Sequence, residues 1–561
     1  MMNEKKAQEQ IRQAVLGSLS WLNELPSQET EILEKANKEA LPLITVYQKN
    51  KRIMTEPAYT PSYKRNPSIR FRPVLAVCAV LVLIAGCWTV YLNRSLDPAA
   101  LPVSIETTPD LPDQDSVPLA LPAAFSSGES TASAIPPLDR IDLYVEPDLL
   151  WNSETGILAE GSNAVKEPGK LPFKNTTYRK MKDSGTAVDG ELIYQTGRQE
   201  VLFRDRIRLR LEGDFSLDMP QKSLHIDAAD GSFDFPLFDD RSASSYPSIL
   251  LRNSGNDSMW TRVQDGVQHR LIDKYTDTGL LTQAWKPVNV YLNDEYWGIY
   301  NMRETVDAHT ICRHEQLPDE AADDITILTV NGMAMQGSGM EFKELRKKIA
   351  QSSPAENPED LTCLEQEIDI ESFLDWLTVE MYFGNSDIAH GVIYKVPGGK
   401  WKCMIQDLDY GLYNSQFDSV KSYLKASGMG QQEINNTIFL KILEVEKYRD
   451  LFFTKLGNLF RSLTTENMWK ELDACVAWIE PDIKNHVERW APYYDKNVIN
   501  EVPTDPEQAY MYWQKRVLRL RNVMRKRPTY LYLFIQDYFN MSNEEMAVYF
   551  PTDIPMEIPD V

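Results

Sequence analysis

Three aspartates, Asp387, Asp407 and Asp409, lie in two acidic loops. The first loop is Gly384-Asn385-Ser386-Asp387-Ile388-Ala389-His390-Gly391, and the second is Gln406-Asp407-Leu408-Asp409-Tyr410-Gly411. Carboxylates are hard oxygen ligands, and one or two of them suffice for Mg²⁺ when the substrate brings phosphate oxygens. A further carboxylate can orient a hydroxyl for attack. Phosphoryl transfer asks for these parts together with cations on the phosphates.

The elements between the loops decide whether the carboxylates meet. Residues Asp369 to Phe383 read as a helix with Phe373, Trp376, Leu377 and Met381 on one face, ended by Gly384. Val392 to Val396 and Trp401 to Ile405 read as strands around the turn Pro397-Gly398-Gly399. Protein kinases carry a base Asp and an Mg²⁺-binding Asp on this same succession of helix, loop, two short strands and loop. Upstream, from Leu138 to Glu304, the chain reads mostly as strands. Arg206–Leu211 and Lys222–Ile226 alternate, Val288–Leu292 and Trp297–Met302 form a hairpin, and Asp257–Tyr275 is an intervening helix. From Glu341 the pattern is helical. These features predict an α+β, two-lobed, atypical protein-kinase-like fold. A β-rich N-lobe would span 139–304, a helical C-lobe 305–541 and an acidic tail 542–561.

Of the 561 residues, 43% are hydrophobic, enough for sizeable cores, and the formal charge of −23 disfavours nonspecific nucleic-acid binding. Residues 74–92 are uncharged and almost wholly apolar, long enough for one transmembrane helix. A buried core helix is the competing reading. Basic residues (Lys49, Lys51, Arg52, Lys64, Arg65, Arg70, Arg72) precede this span, and acidic ones follow. Residues 1–73 are therefore expected in the cytoplasm and the large C-terminal part outside. Residues 93–138 are Pro-rich and read as an extended linker. Six cysteines without a CxxC pattern argue against a zinc site and a dense disulfide framework, and favour buried free thiols.

Several stretches together resemble the CotH kinase family, the atypical kinases related to spore coat protein H. They are Pro220–Leu224, Leu251–Asp257, Val288–Glu304, Asn385-Ser386-Asp387 and Asp407–Gly411, in the family's order. The resemblance covers roughly residues 140 to 540. It implies a kinase-like fold that binds ATP with Mg²⁺ or Mn²⁺, and transfer of the γ-phosphate to Ser or Thr of a surface or spore-coat-type protein. It makes Asp387 the catalytic base, Lys222 a phosphate ligand, and Asp407 the metal ligand with Asp409 assisting. Arg252 and Glu304 are further candidates for the nucleotide, and Asp265 is a candidate partner for Lys222. Asn385 is expected to steady its loop, and His390 to be a loop residue, a metal ligand or a proton acceptor. Three departures count against turnover. Val392 replaces the Asn that kinases place five residues after the base. Glu212 and Asp214 bring negative charge where phosphate would approach, and no glycine-rich phosphate loop is present. The alternative is a catalytically inactive binding or scaffold protein of a surface or coat assembly. A metal-dependent hydrolase is a third reading, weakened by the scarcity of histidines.

Overall fold

The computed structural model describes residues 137–166, 173–425, 434–494 and 502–554. All of them belong to one compact unit. The apolar span 74–92 and most of the Pro-rich linker lie outside the described residues. Among the described residues no helix is long and apolar enough to cross a membrane.

The N-terminal half is a closed seven-stranded barrel. Its strands are β1 (Asp139–Val145), β2 (Val188–Gln195), β3 (Val201–Glu212), β4 (Ser223–Ala228), β5 (Ser248–Arg252), β6 (Trp285–Leu292) and β7 (Glu295–Glu304), in the order β1-β2-β3-β4-β5-β7-β6. All neighbours are antiparallel except β1 and β6, whose parallel pairing closes the barrel. Closure removes both sheet edges. Alternation fills the interior with Leu209, Leu211, Leu224, Ile226, Ile249, Leu251, Tyr300 and Met302, all buried. The same alternation sends Arg252 and Arg303 to the outer face. Two short helices, α1 (Pro147–Trp151) and α2 (Thr177–Asp183), lie between β1 and β2.

A helix expected to start at Asp257 begins later. Gly255–Met259 is a 3₁₀ turn, and α3 runs Gln264–Tyr275. Asp257 is not its N-cap; its carboxylate accepts from the N–H groups of both Thr261 and Gln264 and ties the turn to the helix. α3 is held from the far side by Glu471, which pairs with Arg270 and Lys274.

Beyond the barrel come α4 (Ala308–His314), β8 (Thr326–Thr329), β9 (Ala334–Gln336), α5 (Met340–Ala350), α6 (Pro358–Glu367) and α7 (Ile370–Phe383). The expected hairpin follows as β10 (Val392–Lys395) and β11 (Trp401–Met404). It joins a four-stranded sheet ordered β11-β10-β8-β9, in which β8 and β9 were not expected from the sequence. The remainder is helical: α8 (Ser419–Leu424), α9 (Thr437–Glu444), α10 (Glu446–Ser462), α11 (Thr465–Trp490), α12 (Pro506–Phe539) and α13 (Asn543–Tyr549). α13 lies in what reads as an acidic tail, yet Met546 and the following Phe550 are buried in the main core. α7 is buried on nearly every side from Phe373 onward, as a central helix must be when apolar residues surround its axis. Cys312, Cys363, Cys403 and Cys475 are unpaired, and all but Cys363 are buried, as the sequence suggested.

Candidate active site

Arg252, the last residue of β5, carries the centre of the site. Its guanidinium meets Asp407 at 2.5 Å, Asp409 at 3.2 Å and Asp265 at 3.4 Å. Asp265, on α3, also pairs with buried Arg303 of β7 and with His269 at 3.5 Å. Burial opposes ionisation of Asp265, but the charges of Arg303 and Arg252 hold its carboxyl well below the usual range. The expected pairing of Asp265 with Lys222 does not form. Arg252 takes that place because strand alternation turns it out of the barrel, toward α3.

The loop after β11 is clamped by α3. Gln264 donates to the carbonyls of Asp409 (2.9 Å) and Gly411 (2.7 Å), and Gln268 donates to that of Leu408 (2.6 Å). The Leu408 N–H donates to Asp265 Oδ1 at 2.9 Å. Asp407 itself has a left-handed backbone, φ +54°, a conformation that Asp tolerates better than most residues. Asp409 is 1% exposed; its Oδ2 accepts from the Asn256 N–H at 2.7 Å, while its Oδ1 has no protein partner. Gly255, at φ +60°, passes so close that a Cβ would collide with the Asp409 carboxylate and the Arg252 guanidinium. Burial raises both aspartates. Arg252 outweighs it at Asp407, which stays below its ordinary pKa, whereas burial and the Asp407 charge push Asp409 well above.

The Asp387 loop is tied to this cluster through Asn385. The Asn385 side chain accepts from the Asp387 N–H (3.0 Å) and donates to the Asp407 carbonyl (3.2 Å). Asn385 therefore has the loop-steadying role expected of it. His390 is mostly exposed and faces Asp387 at 3.4 Å, which raises the imidazole pKa. The loop's entrance is fixed by Gly384, the left-handed C-cap of α7 at φ +63°. Beneath it, buried Arg527 of α12 donates to the carbonyls of Met381 (2.7 Å), Tyr382 (2.9 Å) and Phe417 (2.6 Å).

Glu380, one turn before Gly384, is fully buried, and neither carboxylate oxygen has a protein hydrogen-bond partner within normal geometry. Burial, reinforced by the charges of Asp407 and Asp387, pushes its pKa up to about 8. A neutral acid therefore lies beneath the two aspartate loops.

Two expected phosphate or nucleotide ligands lie elsewhere. Lys222 donates to the Met219 carbonyl (2.8 Å) and lies 4.2 Å from the centre of the Tyr178 ring, on the interior side of the barrel. Its described contacts include none of the site aspartates. Glu304 is buried at the end of β7, where it accepts from Arg241 (3.0 Å) and the Ala284 N–H (3.0 Å). It is an ion-pair anchor in this structure. The departures also have partners: Glu212 faces Arg210 and His225, each at 3.7 Å, and Asp214 faces Arg179 at 3.2 Å. Val392 is a buried β10 residue opposite Met404 and Thr329, with no capacity to ligate.

The family model described as CotH kinase protein matches residues 209–531, more than half of the chain and all of the site residues above. The chain belongs to the CotH kinase family. No curated protein matches it significantly. The CotH match begins within β3 and ends within α12, so it takes in Arg252, α3, both aspartate loops and Arg527. Arg303, Gln264, Gln268, Glu380 and Arg527 are not legible as site residues from their local sequence. Each acts through a neighbour distant in the chain.

Proposed function

We propose that this CotH protein transfers the γ-phosphate of ATP to a hydroxyl, with Ser or Thr of a surface or coat-type protein as the acceptor class. The observation that carries the reading is the convergence of Arg252, Asp265, Asp407 and Asp409, with Asp387 tied in through Asn385. Protein kinases place a strand cation against a helix carboxylate, followed by a base Asp and a metal-binding Asp. Here the strand cation is Arg252 and the helix carboxylate is Asp265. Arg is a stronger match than Lys for bidentate phosphate contact.

Mg²⁺ or Mn²⁺, when bound, would offset the negative charge of the phosphates. Asp407, with the unpartnered Oδ1 of Asp409, would hold it. Among the described residues no three His, Cys, Asp or Glu side chains stand ready as a metal cage. One or two carboxylates plus phosphate is the usual way that Mg²⁺ is held in such sites. Arg252 occupies the carboxylates in the free protein and turns to phosphate in the complex. Asp387 accepts the hydroxyl proton, and His390 stands beside it at 3.4 Å.

The second reading, a non-catalytic binding protein, draws on Val392, which cannot supply a second metal ligand. Phosphate transfer separates the two, and thermal shift tests the nucleotide binding that transfer requires. ATP with Mg²⁺ should raise Tm of the wild type, and Asp407→Asn should abolish that rise. Absence of any shift with either metal defeats both nucleotide readings. We further propose that residues 74–92 span a membrane with residues 1–73 in the cytoplasm, on the apolar length and the basic flank alone.

A further inference from the structure

A cavity of about 500 Å³ opens at the barrel mouth, on the side to which Lys222 turns. Its walls are aromatic. Trp151 lies 5.7 Å from Trp297 at a tilt of 57°, and Trp297 meets Trp490 edge-on at 5.1 Å. Trp151 and Tyr493 remain 46% and 62% exposed, unusual for such large rings. The charged groups around the cavity balance one another. Glu160 pairs with Lys166, Asp218 with Arg179, and Glu295 with Arg489 at 3.1 Å. The Arg489 guanidinium is also stacked over Trp297 at 4.5 Å.

Lys222 differs from these cations. An ammonium has three N–H donors, and the described hydrogen bond of Lys222 uses one of them, to Met219. The ring of Tyr178 takes another direction. Burial lowers the amine to about 8, which still leaves it an ammonium donor near neutral pH. Such a lining does not suit a nucleoside triphosphate, because no set of free cations meets the phosphates. It does suit a ring with apolar faces and hydroxyl edges. The faces would stack on indoles, the hydroxyl oxygens would accept from Lys222, and the hydroxyl protons would go to Glu160 and Glu295.

We propose that this mouth binds a neutral hexose ring of a glycan, at a site separate from the phosphoryl-transfer cluster. The separation follows from the strands: Arg252 leaves β5 on the outer face, whereas Tyr178 and Trp297 belong to the interior cluster. The proposal does not depend on kinase activity.

The test titrates the full-length protein with oligomers of N-acetylglucosamine, glucose, mannose and galactose, read by tryptophan fluorescence and calorimetry. Saturable binding of at least one is expected. Trp151→Ala and Tyr493→Ala, both at exposed positions, should each weaken it tenfold or more and leave the ATP-induced rise in Tm unchanged. No saturable binding to any of the four overturns the proposal, as does binding indifferent to both substitutions. Loss of the ATP response in Trp151→Ala also overturns it, because the cavity would then be part of the nucleotide site. Sugar binding without any ATP response leaves the glycan site standing and defeats the kinase reading alone.

Discussion

Single residues carry most of the chemistry. The Glu380 carboxyl goes from an ordinary 4.5 to about 8 on folding, so between those pH values the folded protein holds a proton that the unfolded chain releases. Stability contributed by this group is present at low pH and declines as pH rises through that window. The full effect is on the order of a few kcal/mol. Thermal melts from pH 5 to pH 8 should show Tm falling more in the wild type than in Glu380→Gln. Equal slopes would mean that Glu380 is ionised in the fold. At Asp265, truncation leaves Arg252 and Arg303 short of a buried counter-charge. Asp265→Ala should therefore cost about 3–5 kcal/mol in denaturant unfolding. A loss under 1 kcal/mol would contradict the buried triad.

Elements explain which of these residues the sequence disclosed. The two aspartate loops were legible because helix, glycine stop and hairpin are local patterns, and α7, β10 and β11 lie where periodicity placed them. Lys222 was visible at the start of a strand and Arg252 ahead of the predicted helix. Which of them faces the carboxylates depends on strand alternation within a closed barrel, and closure is a long-range pairing of β1 with β6. The same limit hid β8, which pairs with distant β10 on one side and carries β9 on the other. α3 was seen too early in the chain because the 3₁₀ turn and the helix share one polar pattern. Its grip on the Asp407 loop gives an element-scale prediction. Gln264→Ala with Gln268→Ala removes the side-chain bonds to Leu408, Asp409 and Gly411. Hydrogen exchange should speed up across residues 406–411 with α7 little changed. Unaltered protection there would show that the clamp is dispensable.

At the scale of the molecule, a barrel supplies one cation and one helix, a buried helix supplies the Asp387 loop, and a small hairpin joins the two carboxylate loops. Family membership and this arrangement point to the same chemistry from different directions. The membrane span is the part that only the N-terminal sequence supports. Reporter fusions before residue 74 and after residue 92 should report opposite sides; the same side for both would end that proposal. The most direct test of the central claim is phosphate transfer from γ-labelled ATP by the full chain, with Mg²⁺ or Mn²⁺, onto itself or a Ser-rich protein. Transfer by the wild type, reduced at least a hundredfold in both Asp407→Asn and Arg252→Met, is the predicted result. Transfer that survives either substitution, or a wild type that transfers nothing while remaining folded, would contradict it.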